Sequence, residues 1–269
     1  MPRIYLPINH IKDNRISITD EKAHHLTSVL RCRKGDELIV LDGKGNCFRT
    51  TILKADRREI IADVIKRFPC DTESHINITL VQGILKGEKM DIIIQKTTEL
   101  GVNEIIPVVT ERSQLRETRK VTRWRKIAEE GSRQSGRSVV PVIREPVEFK
   151  KYFATHDPKY KFQGFIFFEE DGMKLSEAVE ILKQRSHSTL PSPLPSREGK
   201  LPSPLVGEGK GEGGLFVLIG PEGGFTKKEI DLATERGLHV ISLGKRILRA
   251  ETAAISAVTL VQYLLGDLG

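Results

Sequence analysis

Two short segments bring glycine and charge together where a strand gives way to a helix. The first is Leu218-Ile219-Gly220-Pro221-Glu222-Gly223-Gly224-Phe225-Thr226. The second is Leu243-Gly244-Lys245-Arg246-Ile247-Leu248-Arg249-Ala250-Glu251-Thr252-Ala253-Ala254. In open α/β sheets, ligands bind beyond the carboxyl ends of strands. Glycine there lets a ligand approach the backbone and permits positive φ. The first segment also reads as a tight turn with Thr226 capping the next helix, and its residues alone leave both readings open. It is not a phosphate-binding P-loop, because no Gly-Lys-Ser/Thr follows, and it is not G-x-G-x-x-G. In the second segment, Lys245, Arg246 and Arg249 crowd a strand end. An arginine held at a helix start can meet phosphate or a developing oxyanion. Local capping and pairing of Arg249 with Glu251 is the competing reading.

A third signal is charge. Arg112, Arg116, Arg119, Lys120, Arg123, Arg125, Lys126, Arg133 and Arg137 crowd one stretch against Glu111, Glu117, Glu129 and Glu130. Arg3, Arg31, Arg33 and Lys34 add a second basic group. Phosphate contact is the functional reading of both; a solvated basic face is the plain one. The net charge of +7 favours a polyanionic partner. Nucleic acid is the commonest such partner, and an acidic membrane surface is the competitor.

Other chemistries find no support. Adjacent His24 and His25 would point about 100° apart on a helix and make poor co-ligands. No H-E-x-x-H, G-x-S-x-G or cysteine cluster occurs, so neither a metal nor a covalent nucleophile of the usual kinds is expected. Cys32, Cys47 and Cys70 are widely spaced and odd in number, so no disulfide is expected and a reducing cytoplasm is the natural setting. No stretch reaches the roughly 18 apolar residues of a membrane span. The nearest, Ala253 to Leu265, is interrupted by Ser256, Thr259 and Gln262. The N-terminus lacks a secretory pattern.

The elements that must position these residues fall into two regions. Residues 1–72 are strand-rich, with candidates at Arg3 to Leu6, Arg15 to Ile18, Glu37 to Asp42, Cys47 to Leu53 and Glu59 to Phe68. A helix is expected from Glu21 to about Leu30, capped by Thr19 or Asp20. Short strands around a Gly43-Lys44-Gly45 turn suggest a small β-barrel. Pro69 to Ser74 reads as a linker. From residue 73 to 269, strands and helices alternate, which implies a parallel sheet covered on both faces. The helices are expected at Glu88 to Leu100, Arg119 to Gln134, Val147 to Thr155, Leu175 to Gln184, Lys227 to Arg236 and Ala250 to Leu265. The strands are expected at Ile76 to Ile84, Glu104 to Val109, Val139 to Ile143, Phe162 to Phe168, Leu215 to Gly220 and His239 to Leu243. Residues 187–214 break the rhythm. Leu190-Pro191-Ser192-Pro193-Leu194 is echoed by Leu201-Pro202-Ser203-Pro204-Leu205, a low-complexity repeat expected to be a disordered insertion.

At these residues the chain resembles the 16S ribosomal RNA (uracil-N3)-methyltransferase family of the SPOUT superfamily. The resemblance is carried by Lys86-Gly87-Glu88-Lys89-Met90 with Gln95-Lys96-Thr97-Thr98-Glu99-Leu100-Gly101, by Ile219 to Gly224, and by Leu243 to Ala253. Pro2-Arg3, His25-Leu26, Val29-Leu30-Arg31 and Lys34-Gly35-Asp36 also match. It covers nearly the whole chain outside the insertion and implies an N-terminal PUA-like β-barrel that grips RNA. It further implies a C-terminal α/β domain whose trefoil knot holds S-adenosylmethionine, a homodimer with the active site near the subunit interface, and a 16S rRNA or small-subunit substrate. Cofactor contacts are expected at Leu218, Gly220, Pro221, Glu222, Gly223, Gly224, Leu243, Gly244, Ile247, Leu248 and Thr252. RNA contacts are expected at Arg3, Arg31, Arg33, Lys34, Arg112, Arg116, Arg123 and Arg133. Arg249 is the expected catalytic residue, stabilising negative charge on the uracil ring, with Glu222 orienting its loop. The alternatives are a SPOUT enzyme acting on another RNA or on a ribose 2′-oxygen, and an RNA-binding protein without catalysis.

Overall fold

Alternating side chains build the first unit. In β3 (Arg15–Thr19), Ile16 and Ile18 are wholly buried while Arg15 and Thr19 face solvent. β1 (Arg3–Tyr5), β2 (Ile11–Lys12), β4 (Glu37–Leu41), β5 (Asn46–Ala55) and β6 (Glu59–Pro69) join it in one sheet, ordered β1-β4-β5-β6-β3-β2. Its pairs are antiparallel except β1 with β4. Ile4, Ile16, Leu38, Val40, Phe48, Ile52 and Ile60 share one core, so the sheet curls around them. The expected small barrel is therefore a curled, six-stranded half-barrel. The computed structural model describes residues 1–6, 11–12, 14–70, 72–157, 159–170, 172–189 and 214–269.

The helix expected from Glu21 to Leu30 is shorter and changes character. α1 (Asp20–His24) passes into a π-helical turn at His25–Val29. Arg31 then ends the segment in the left-handed region, with φ 55°. Thr19 is the N-cap, without a side-chain capping bond.

The hairpin register overturns the expectation for the cysteines. Cys47 pairs with Phe68 across β5 and β6, which places it beside Cys70. The two sulfurs are bonded and the Cα atoms lie 5.8 Å apart, within the disulfide range. Spacing along the chain hides a contact that a hairpin makes local. Cys32 is a buried free thiol whose pKa burial raises.

The first unit comprises residues 1–73 together with 132–140. Glu73 explains why the later segment belongs here. Its carboxylate accepts from Arg137 at 2.7 Å and from the backbone of Ser138 and Val139 at 2.7 and 3.1 Å. Tyr5 donates its hydroxyl to the Arg137 carbonyl. The Arg137 side chain is only 3% exposed. Removing a partner from a buried ion pair is costly, so Glu73→Ala is expected to destabilise the protein by about 3 kcal/mol. Urea melts of the two proteins measure this.

The second unit, residues 74–131 and 141–269, carries the parallel sheet. β7 (Ile78–Gly83) is buried along its whole length, as a strand covered on both faces must be. With β8 (Glu104–Val109), β9 (Val142–Ile143), β10 (Val147–Glu148), β11 (Gln163–Phe167), β12 (Leu215–Ile219) and β13 (His239–Ile241) it forms the order β10-β8-β7-β12-β11-β13, with β9 beside β8. All these pairs are parallel. The helices are α2 (Lys89–Glu99), α3 (Val121–Ser135), α4 (Phe149–Ala154), α5 (Leu175–Thr189), α6 (Lys227–Glu235) and α7 (Ala250–Leu265). The last turn of α3 is counted with the first unit. The segment expected to be one helix from Val147 is split, because Val147 and Glu148 pair with β8 before α4 begins. Val139 forms only an isolated bridge, so the expected strand there shortens to β9. α5 continues to Thr189, so the start of the expected insertion is helical; residues 190–213 lie outside the described residues.

Two packing features position the site. Gly101 ends α2 at φ +89°, and a Cβ there would lie 2.5 Å from Gln262 Nε2 of α7. Gln262 in turn donates to the Leu100 carbonyl at 2.9 Å, locking α7 to the end of α2. An aromatic cluster of Phe149, Phe153, Phe162 and Phe216 underlies the sheet, and Phe225 joins it with a ring centroid 5.3 Å from that of Phe149. Among the described residues no helix is long and apolar enough to cross a membrane.

Candidate active site

The strand order decides where the two glycine-bearing turns go. β11 lies between β12 and β13, parallel to both, so the three carboxyl ends share one edge. Leu243, Gly244, Arg246 and Ile247 through Ala250 follow β13; Gly220, Pro221, Glu222 and Gly224 follow β12; Phe167, Phe168 and Glu169 come from β11. Together they line a cavity of about 530 Å³, a size suited to a small organic ligand.

The first turn is held from several sides. The Gly224 amide donates to the Pro221 carbonyl at 2.9 Å, and Gly224 has φ +68°, a conformation glycine adopts without strain. Phe225, 1% exposed, anchors its far end in the aromatic core. Thr226 and Glu229 form a capping box at the start of α6. The buried Glu229 also accepts from the Glu111 amide at 2.9 Å, joining the turn to the loop after β8. From that loop Arg112 donates to the Gly223 carbonyl at 3.0 Å. Glu222 accepts from Lys89 at 3.0 Å and from the Lys86 amide at 3.2 Å. Partial burial pushes the Glu222 carboxyl up, but Lys89 and the backbone donors outweigh it and hold it below its ordinary range. The contact is thus intact above the ordinary carboxylate pKa and is lost as pH falls through the depressed value.

The second turn is more open. Gly244 stands at φ +100° and Ile247 is 85% exposed. Arg249 is the N-cap of α7 by backbone geometry, at φ −63° and ψ 149°, but its side chain makes no capping bond. The guanidinium is exposed, lines the cavity and has no ion-pair partner among the described residues. The expected local pair with Glu251 does not form.

Of the expected cofactor residues, Gly220, Pro221, Glu222, Gly224, Leu243, Gly244, Ile247 and Leu248 line the cavity. Three do not. Leu218 is core, 1% exposed. At Gly223 a Cβ would sit 3.0 Å from that of Arg112, so this glycine meets the supporting loop. Thr252 is exposed on α7, outside the lining. The basic stretch is mostly occupied in structure. Besides Arg112, Arg123 pairs with Asp91 at 2.9 Å and Lys120 donates to the Gly87 carbonyl. Arg133 is also engaged, and Arg3 donates to the Gly136 carbonyl within the first unit. Arg31, Arg33, Lys34 and Arg116 are exposed.

Sequence reasoning missed Lys89, Glu169 and Gly83. Lys89 precedes its partner Glu222 by 133 residues, which no periodicity reveals. Gly83 ends β7 against the first turn, and a Cβ there would lie 2.4 Å from Pro221 N. Glu229 was visible in principle, because Thr-x-x-Glu before a helix marks a capping box.

An RNA methyltransferase domain model matches residues 72–262, and an RNA methyltransferase PUA domain model matches residues 18–65. The ribosomal RNA small subunit methyltransferase E of Synechocystis is 30% identical over 98% of this chain and 78% of its own length. That of Bacillus subtilis is 30% identical over 92% and 89%. The chain belongs to the ribosomal RNA small subunit methyltransferase E family. The crystal structure of the Neisseria gonorrhoeae member, bound to S-adenosyl methionine, superposes with a TM-score of 0.79 at 30% identity over the whole of both chains. A putative methyltransferase of Legionella pneumophila in complex with the same cofactor gives a TM-score of 0.74 at 28% identity, over 99% of this chain and 98% of its own. The half-barrel and the parallel-sheet domain of this methyltransferase E family member are therefore those of a known RNA-modifying architecture.

Proposed function

We propose that the protein transfers the methyl group of S-adenosylmethionine to N3 of a specific uridine in 16S ribosomal RNA. The observation that carries this reading is the convergence of the two glycine-bearing turns on one cavity that Arg249 also lines. The family supplies the reaction class, and two solved relatives hold this cofactor.

The residues present fit the cofactor. Gly220, Gly224 and Gly244 line the cavity, Gly244 with open space where a Cβ would stand, and apolar Ile219, Leu243 and Leu248 suit a planar base. When bound, the cofactor supplies an electrophilic methyl group on a sulfonium. The chain's part is then to orient and to stabilise charge. The braces at Arg112, Glu229 and Lys89 keep the first turn preorganised, which matters because in-line displacement depends on positioning. Uracil N3 is a poor nucleophile while protonated, and its deprotonation spreads negative charge onto the ring oxygens. Arg249 meets that charge.

Arg31, Arg33, Lys34 and Arg116, exposed and basic, contact RNA phosphates, with Arg3, Arg112, Arg123 and Arg133 contributing through what their structural bonds leave free. The active form is a homodimer in the cytoplasm, with the two turns, Gly220 to Gly224 and Leu243 to Leu248, forming a trefoil knot. No metal takes part.

The test is mass mapping of 16S rRNA. Small subunits from cells lacking the gene, incubated with the purified protein and cofactor, are expected to gain one methyl group on a uracil base at N3. A methyl group on ribose or on another RNA supports a different methyltransferase specificity. No methyl gain at all reduces the protein to an RNA-binding role.

A further inference from the structure

Removing the N3 proton requires an acceptor, and three carboxylates line the cavity: Glu169, Glu222 and Glu251. Glu222 is occupied by Lys89 and the Lys86 amide. Glu169 is exposed and stands against the first turn, its Oε1 2.7 Å from where a Cβ of Gly224 would lie.

Glu251 is different. It lies in the first turn of α7, two residues after Arg249. Its Oε2 is shielded from solvent and receives no hydrogen bond from the described residues. A buried acceptor left without a donor costs free energy, and buried polar groups are normally paired. Here the missing donor is matched by a cavity on which the same side chain borders. Arg249 also lines that cavity, with no ion-pair partner among the described residues. The imide edge of uracil is a single N–H donor flanked by two carbonyl acceptors. A carboxylate next to a guanidinium is its complement: the carboxylate takes the N–H and the guanidinium meets an adjoining oxygen.

We propose that Glu251 is the general base that accepts the uracil N3 proton. The inference rests on the N3-methylation reading above and supplies the acceptor it lacks. The N3–H bond breaks and its electron pair stays on nitrogen, while the proton passes to the Glu251 carboxylate. N3 gives that pair to the methyl carbon, whose bond to sulfur breaks with its electrons remaining on sulfur. The protonated Glu251 returns its proton to water after the product leaves.

The experiment compares the full-length protein with Glu251→Gln and Glu251→Asp. Single-turnover methylation of small subunits is followed from pH 6 to 10, roughly the span over which a uracil imide titrates. Calorimetric affinity for S-adenosylmethionine and filter-binding affinity for the RNA are measured alongside. Glu251→Gln is expected to lower the rate at neutral pH by about 10²-fold, the usual contribution of a positioned base. The deficit narrows as pH rises, because the proton then leaves unaided. Both affinities stay within about threefold, and Glu251→Asp, which keeps the carboxylate, retains part of the rate. An unchanged Glu251→Gln rate overturns the proposal. So does loss of cofactor affinity with no change in pH profile, which assigns the carboxylate to the cofactor's ammonium group. Glu251→Asp carries the same comparison if the glutamine variant fails to fold. A wild-type product methylated elsewhere than N3 removes the underlying reading instead, and product mass mapping separates the two failures.

Discussion

Arg249→Ala is expected to slow single-turnover methyl transfer by about 10²–10³-fold, the cost of losing one preorganised donor to a developing oxyanion. The fold is expected to survive almost unchanged. Arg249 caps α7 through backbone geometry alone, without a side-chain bond to the helix. Substitutions at exposed positions away from such contacts usually stay within about 0.5 kcal/mol. Cofactor affinity measured by calorimetry stays within about threefold, since the role proposed for the guanidinium is to meet charge on the nucleophile. Arg249→Lys keeps the charge but not the planar fork, so it recovers only part of the rate. A variant with the wild-type rate removes Arg249 from the mechanism, and a variant that fails to bind cofactor moves it into the cofactor site.

The second large effect comes from a residue outside the cavity lining. Gly83 ends β7 with its Cα against the Gly220–Pro221 peptide; a Cβ there would lie 2.4 Å from Pro221 N and 2.8 Å from the Gly220 carbonyl carbon. These are backbone atoms, so no side chain can rotate away. Gly83→Ala must push the first turn into the cavity or spread β7 from β12. Overpacking of this kind costs about 1–3 kcal/mol. If the turn yields, the same strain weakens S-adenosylmethionine binding by roughly 10–100-fold, at about 1.4 kcal/mol per tenfold. Gly87→Ala is the control. Unlike Gly83 it has positive φ, +67°, so the substitution strains the backbone, but the added atom stands in open space. Calorimetry and thermal melts of the two variants separate loss of the pocket from backbone strain alone. Equal cofactor affinity in Gly83→Ala and wild type would show that the turn does not shape the binding site.

Legibility in the sequence varied with the kind of physics involved. β8 and α7 have the limits their residues predict, because their signals are local: Gly101 precedes one, and a mostly apolar run broken only by single polar residues fills the other. The two turns were legible for the same reason, since strand, glycine and helix follow each other in order. The π-helical turn at His25–Val29 was not, because its apolar spacing is close to that of an α-helix. The return of residues 132–140 to the first unit was equally hidden, since it depends on Glu73 meeting Arg137 across 64 residues. Cys47 and Cys70 meet only once the β5–β6 register is known. The excess of arginine was legible, but the partners of each arginine were not. Arg112 and Arg123 carry the charge expected of a nucleic-acid surface, yet each has work within the fold, at Gly223 and Asp91. Charge count reports composition, whereas the partner of each guanidinium depends on tertiary structure.

Hydrogen–deuterium exchange of the full-length protein with and without S-adenosylmethionine tests the shared pocket most directly. Added cofactor is expected to slow exchange together in the segments 219–225 and 243–250, with residues 1–70 unaffected. Protection of one segment without the other, or of neither, would contradict a methyl-donor site built from both turns.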